Sequence, residues 1–282
     1  MQQVRKRALV VGGTSGIGHG IAMHLAKVGV DVEIAGRSAT RGEEIVEELK
    51  KIDPQGSFTF SQVDCFDLDD VKKLAEAQAQ RPKLNYLVMS QGMATLQGYT
   101  PTKDGIDQKL QLHYYSRVLL ANLLVPSMTS SDDSGNAKVL TVLSAGVHGA
   151  YTGYKEDADL SKTYSIKNAA DSAGFYNDVG FDKLSELHPT VVFAHAAPGF
   201  VNTNWGTEMP TVVRWMVRAL QPLGRSIEDC GDKMVTGLLA LSTPGFYLLD
   251  EHGKELDKKL PEHEDAKLVV WKHTQEMISK WL

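Results

Sequence analysis

The chain is poor in cysteine, in charge of one sign and in long apolar runs. Cys65 and Cys230 are its two cysteines in 282 residues, so no disulfide framework is available and a reducing compartment fits best. Thirty Lys+Arg against 35 Asp+Glu leave a formal net charge of −5. The basic cluster Arg5-Lys6-Arg7 stands alone, so nucleic acid and anionic membrane surfaces are poor partners. The first apolar run, Ala8 to Val11, ends at Gly12-Gly13. It is too short for a signal peptide's apolar region or a spanning helix. No Gly/Ser-rich linker, charge block or internal repeat divides the chain. These absences lead to the expectation of a soluble, cytoplasmic protein with no nucleic-acid partner and no membrane span.

What is present is an alternation of short β-rich runs with longer helical stretches. Ala8–Val11, Val30–Ala35, Ser57–Val63, Leu84–Met89, Val139–Leu143 and Val191–His195 read as six strands. Between them, Ile17–Val28, Thr40–Lys51, Leu68–Ala79, Lys103–Met128 and Tyr164–Leu187 read as helices, with further helical stretches over Ser226–Leu241 and Glu264–Trp281. Strands separated by helices imply a parallel sheet covered on both faces. The expected fold class is α/β, a single doubly wound domain of Rossmann type over residues 1–282. Ser127 to Ala137 reads as a surface loop.

The most informative segment is Val11-Gly12-Gly13-Thr14-Ser15-Gly16-Ile17-Gly18, which leaves the first strand and opens the first helix. Gly12 suits a tight turn. Gly16 lets backbone approach a pyrophosphate, and Gly18 lets the helix pack closely on the sheet. The helix N-terminus offers free N–H groups and positive partial charge to phosphates, so Thr14, Ser15 and Ile17 join the glycines as cofactor-binding candidates. An acidic residue at the tip of the second strand would suit the ribose 2′-OH of NAD. The tip here reads Ile34-Ala35-Gly36-Arg37-Ser38. Arg37, helped by Ser38 and Arg41, is fit to pair with the 2′-phosphate of NADP, so NADP is expected over NAD.

The spacing Gly12-x3-Gly16-x-Gly18 resembles the glycine motif of the short-chain dehydrogenase/reductase family, with Val11 where that family commonly has threonine. The resemblance runs from about Arg7 to the C-terminus. It looks closest to the retinol-dehydrogenase-like and carbonyl-reductase-like branch, and the tail Asp265 to Trp271 resembles that branch too. It implies hydride transfer with a nicotinamide cofactor and a catalytic Asn-Ser-Tyr-Lys set. It also implies that Asp64 meets the adenine amino group, with Asp67 the better cap for the next helix. Met89-Ser90-Gln91-Gly92 stands for the family's Asn-Asn-Ala-Gly, keeping Gly92 for close cofactor approach. His113 falls where the catalytic asparagine is expected and is a candidate for a proton relay or a water site.

Ser144, after Val139–Leu143, matches the family's catalytic serine. The Tyr-x-x-x-Lys match at Tyr151 and Lys155 stands too close to Ser144. The better placement is Tyr164-Ser165-Ile166-Lys167-Asn168, with Tyr164 as proton carrier and Lys167 one place earlier than the family lysine. Lys155 is the alternative partner. The gap between Ser144 and Tyr164 implies an inserted loop over the site mouth, Ala145 to Lys162. Pro198-Gly199-Phe200-Val201-Asn202-Thr203 matches the family's Pro-Gly-x-Val-x-Thr, whose Val201 and Thr203 positions hold the nicotinamide carboxamide. Residues 200–224, with Trp205, Met209, Trp215 and Met216, resemble a substrate lid and imply a hydrophobic substrate.

The resulting expectation is an NADP-dependent oxidoreductase that interconverts a carbonyl and an alcohol on a small molecule. The alternative is an NADP(H)-binding sensor or scaffold, suggested by the departures at Met89 to Gln91, His113 and Asn168. No metal is called for. The resemblance also implies a homo-oligomer through the long helices.

Overall fold

A computed structural model describes residues 5–128, 137–203, 211 and 221–282. The six expected strands are present as β1 (Arg7–Val11), β2 (Asp31–Gly36), β3 (Phe58–Gln62), β4 (Tyr86–Met89), β5 (Lys138–Val142) and β6 (Val192–Ala196), and all but β3 carry runs of buried, mostly apolar side chains. Such strands belong in a sheet covered on both faces. In space they run β3-β2-β1-β4-β5-β6 with every pair parallel. The chain steps outward from β1 to β3 and returns to pair β4 on the other flank of β1. The carboxyl ends of β1 and β4 therefore diverge into a crevice, the place where such sheets bind ligands.

Two more strands complete the sheet. β7 (Gly245–Leu249) lies parallel to β6, and β8 (Glu255–Leu256) runs antiparallel at the edge. The sequence reading stopped at six. The Phe246 to Leu249 run is short and follows Pro244-Gly245, so periodicity alone does not separate it from a loop.

Seven helices lie among the described residues: α1 (Gly16–Lys27), α2 (Ala39–Ile52), α3 (Leu68–Ala79), α4 (residues 108–128), α5 (Ile166–Leu187), α6 (Ile227–Ala240) and α7 (His263–Ile278). Helices α1, α2 and α6 bury Ile21, Leu25, Ile45, Leu49, Met234 and Leu238 against one face of the sheet. Helices α3, α4, α5 and α7 bury Leu74, Leu119, Phe181 and Val270 with the other. None of the described helices is long and apolar enough to cross a membrane.

One helix start matches the sequence reading and two differ from it, each for a local reason. Asp67 caps α3 by accepting from the backbone N–H groups of Asp69 at 2.9 Å and Asp70 at 3.4 Å, as expected of it. Helix α4 starts at Gln108, not near Lys103, because Asp107 caps it through Lys109 N and Leu110 N. Its second piece, Gln111–Tyr115, is a π-turn, an insertion that is common at functional sites. Helix α5 starts at Ile166 because Ser165 accepts from Asn168 N at 2.9 Å and takes the cap position. Tyr164 therefore precedes the helix.

The segment between β5 and α5 is packed inward. Tyr151, Tyr154 and Leu160 are buried in the α3–α5 layer. Asp157 gathers its end by accepting from Thr163 N at 2.7 Å and Thr163 Oγ1 at 2.6 Å. At the far end of the chain, Asp182 of α5 holds α7 through His263 Nε2 at 2.7 Å and Lys267 Nζ at 3.1 Å. Trp281 Nε1 then donates to Asp69 Oδ1 on α3 at 2.9 Å. The side chains expected to form a lid, Trp205, Met209, Trp215 and Met216, lie outside the described residues.

Candidate active site

A cleft of about 590 Å³ opens at the carboxyl ends of the strands. Gly12, Thr14, Ser15, Gly16 and Ile17 line its floor, and Pro198, Gly199, Val201 and Thr203 line the opposite wall. The two walls meet where Gly16 faces Thr203: a Cβ on Gly16 would lie 3.2 Å from Thr203 Cγ2. At Gly12 φ is +81°, and a Cβ there would sit 2.5 Å from Gln91 N. Only glycine satisfies both conditions. Gly18 lies behind the lining, its missing Cβ replaced by Gly12 O and Ser90 Oγ.

This floor fits a dinucleotide's phosphates. Ser15 occupies the N-cap of α1 without a side-chain capping bond, and the first turn of α1 holds no acidic residue. The first N–H groups and the positive helix end thus face the cleft uncompensated. Arg37 stands at the tip of β2 and lines both this cleft and an adjoining hollow of about 430 Å³. Its guanidinium lies 5.5 Å from the centre of the Phe66 ring. Asp64 lines the cleft and also accepts from Phe66 N at 3.0 Å, so it serves as turn former and wall together. Ser38 is not among the lining residues; its hydroxyl accepts from Arg41 N at 3.3 Å and caps α2.

Beyond β4 the cleft is lined by Gly92, His113 and Arg117. His113 Nε2 accepts from Met93 N at 3.0 Å, which leaves its proton on Nδ1. Burial, then the charges of Arg117 and Lys109, push its pKa down to about 3. The ring is thus held neutral, with Nε2 taken by the Met93 backbone and Nδ1 carrying the proton. Arg117 is fully buried. Its Nη1 donates to Thr141 Oγ1 at 2.7 Å and Val142 O at 3.0 Å, and its Nη2 to Gln91 O at 2.5 Å. Its Nε has no partner.

Ser144 sits just past β5, where its backbone N–H donates to His195 Nε2 at 3.1 Å. That bond fixes the His195 proton on Nδ1, which donates to Asp178 Oδ1 at 2.5 Å. The other carboxylate oxygen meets His148 Nε2 at 3.0 Å, and His148 Nδ1 faces Gly149 O at 3.1 Å. Both His148 nitrogens therefore face acceptors, an arrangement that favours the protonated ring. Burial opposes this charge, but the bond to Asp178 outweighs it and holds the His148 pKa above its usual value. Burial likewise opposes the charge on Asp178, and the two histidine bonds hold its pKa low. The cluster has metal-ligand residue types. With Ser144 N–H on Nε2, however, His195 presents a proton and not a lone pair to the centre of the cluster. The Ser144 hydroxyl rests against α5 at Gly174, where a Cβ would lie 2.5 Å from it.

The structure does not bring Lys167 or Lys155 to Tyr164. Lys167 pairs with Asp171 on the surface, and Lys155 lies over the Tyr154 ring. The reason is the Ser165 cap, which leaves Tyr164 ahead of the helix and removes the shared helical face. The ammonium that does meet Tyr164 is Lys109 of α4, which donates to the phenol oxygen and to Gln97 O at 2.6 Å. The Tyr164 hydroxyl donates to Gln97 O at 3.3 Å. Burial, then the charge of Asp107, pushes its pKa up to about 12. Neither Tyr164 nor Ser144 is among the residues lining the cleft. The sequence reading missed Lys109 and Arg117. The signal was present: Lys109, His113 and Arg117 recur every four positions, a basic stripe on an otherwise apolar helix.

The chain resembles known proteins along its length. The pattern that describes short chain dehydrogenases matches residues 6–155. The oxidoreductase AN1596 of Emericella nidulans is 28% identical over 97% of this chain and 92% of its own length. The short-chain dehydrogenase/reductase SAT2 of Stachybotrys chartarum is 29% identical over 83% of this chain and 72% of its own. Among solved structures, an alcohol dehydrogenase from the archaeon Thermococcus sibiricus, complexed with 5-hydroxy-NADP, superposes with a TM-score of 0.67. It shares 16% identity, with 92% of this chain and 100% of that one covered. Motif, fold and relatives agree: the chain belongs to the short-chain dehydrogenase/reductase family and is an oxidoreductase of Rossmann fold.

Proposed function

We propose that this oxidoreductase uses NADP(H) to interconvert a carbonyl and an alcohol on a small hydrophobic molecule. One observation carries the cofactor choice. The tip of β2 presents a guanidinium and no carboxylate, at the boundary between the cleft and the adjoining hollow. A 2′-phosphate is matched by Arg37 in charge and by its planar donors in geometry. The α1 N-terminus and the Gly12 turn would hold the pyrophosphate, Asp64 the adenine amino group, and Val201 with Thr203 the carboxamide. The bound nicotinamide supplies the hydride chemistry. Ser144 would donate to the substrate oxygen. Tyr164 would carry the proton, with Lys109 in place of Lys167 as the ammonium at its hydroxyl, acting against the burial that raises the phenol's pKa.

The test is Arg37→Ala, with affinities for NADPH and NADH measured in parallel. NADPH affinity is expected to fall by about ten- to a hundredfold, or about 1.4–2.8 kcal/mol, with NADH little changed. Equal losses for the two would overturn the NADP assignment. Full turnover in Tyr164→Phe would remove Tyr164 from the chemistry.

A further inference from the structure

We infer that Arg117 is a fixed, uncompensated positive charge that makes this cleft hold the reduced, neutral nicotinamide more tightly than the oxidised, cationic one. The inference rests on the NADP(H) reading above. Its physical basis is the environment of one side chain. The Arg117 guanidinium is fully buried and spends its Nη groups on neutral acceptors, the Thr141 hydroxyl and the carbonyls of Val142 and Gln91. Among the described residues, no carboxylate forms an ion pair with it. The titratable groups around it give it no anion. The Cys65 thiol is pushed up to about 12 by burial and stays neutral, and His113 stays neutral as described.

Such a charge is costly to keep, because a buried ion without a counter-ion loses hydration that carbonyl dipoles replace only in part. Burial lowers the Arg117 pKa to about 9, which still leaves it charged at neutral pH. Its position gives the charge a use. The acceptors of Arg117 lie at the carboxyl ends of β4 and β5, across the crevice from Arg37 and Asp64. In a doubly wound sheet the adenosine takes one half of the crevice and the nicotinamide the other. The adenosine-side groups place the nicotinamide on the Arg117 side. The oxidised ring is a pyridinium cation and the dihydro ring is neutral, while the phosphate charges are the same in both. A fixed cation beneath that half therefore discriminates between the two redox forms through the ring alone.

The test is a binding titration of NADPH, NADP+ and 2′,5′-ADP against the wild-type chain, Arg117→Met and Arg117→Lys. Wild type is expected to bind NADPH about tenfold or more tighter than NADP+. In Arg117→Met the preference should shrink by about tenfold, with 2′,5′-ADP affinity unchanged because that fragment lacks the ring. Arg117→Lys, which keeps the charge, should keep most of the preference. Equal wild-type affinities for the two forms, or a preference that survives intact in Arg117→Met, would overturn the inference while leaving the NADP(H) reading standing. If Arg117→Met no longer binds 2′,5′-ADP, it has lost the fold, and the wild-type ratio with the lysine variant decides. Failure of wild type to bind any of the three would overturn the reading and the inference together.

Discussion

The two halves of the cleft handle charge in opposite ways. On the β1–β3 side, the charged groups Arg37 and Asp64 sit at the cleft wall, and the helix end of α1 is left bare. On the β4–β6 side, the charges are sealed inside: Arg117 on neutral acceptors, and His148 and His195 on either side of Asp178. The first half offers charge to a ligand by contact. The second acts through its field and through the backbone it holds in place. Contact residues are interchangeable only in binding terms, whereas buried charges are tied to stability.

Substitutions on the two sides should therefore fail differently. The largest effect is expected from Gly12→Val on the contact side, where a Cβ meets Gln91 N at 2.5 Å in left-handed backbone. We expect loss of at least about 3 kcal/mol in stability or in NADPH affinity, read by thermal melts with and without NADPH. Next comes Asp178→Asn on the sealed side, which takes the negative charge from between two buried histidines. It should cost about 3–5 kcal/mol in urea unfolding, whether or not cofactor binds. A cost under about 1 kcal/mol would place that network with exposed pairs and erase the contrast between the halves.

Smaller is the split between two lysines. Lys109→Met should lower kcat by about tenfold, less than the roughly hundredfold or more lost with a group that itself transfers the proton. Lys167→Met, on a surface pair, should change kcat and stability by very little. The reverse order would restore Lys167 as the partner of Tyr164.

The smallest effect is a slope in pH. His148 has a raised pKa in the folded state, so its contribution is complete below the unfolded value of 6.5 and fades as pH rises through the folded value. Asp178 has a lowered pKa, so its contribution is present above 3.8 and fades as pH falls through its folded value. Melting temperatures of wild type should decline toward alkaline pH more steeply than those of His148→Gln. Parallel curves would show that the buried histidine holds no extra proton.

The contact half was legible in the sequence because its signals are local. Strand, glycine turn, helix and the Arg37 tip follow one another within thirty residues of chain, and Asp67 announces its own helix. The sealed half is tertiary. His148, Asp178 and His195 come from a loop, a helix and a strand, and no spacing links them. Tyr164 and Lys167 read as helical neighbours until Ser165 takes the cap and leaves Tyr164 outside. The stripe Lys109, His113 and Arg117 had a readable period, but cations on a helix ordinarily mark its solvent side, and here they mark the inside. β7 was missed for want of flanking pattern.

The clasp of the last helix has a consequence for how the molecule is made. Trp281 meets Asp69 across 212 positions of sequence, and α7 covers the layer built by α3, α4 and α5. That layer keeps an apolar wall open during synthesis until residue 281 has cleared the ribosome, however early the glycine turn is in place. A nascent chain halted before α7 would hold a formed β1–β3 half beside a sticky, unfinished one. Clipping of residues 263–282 in the mature protein would recreate that state and favour aggregation over partial activity.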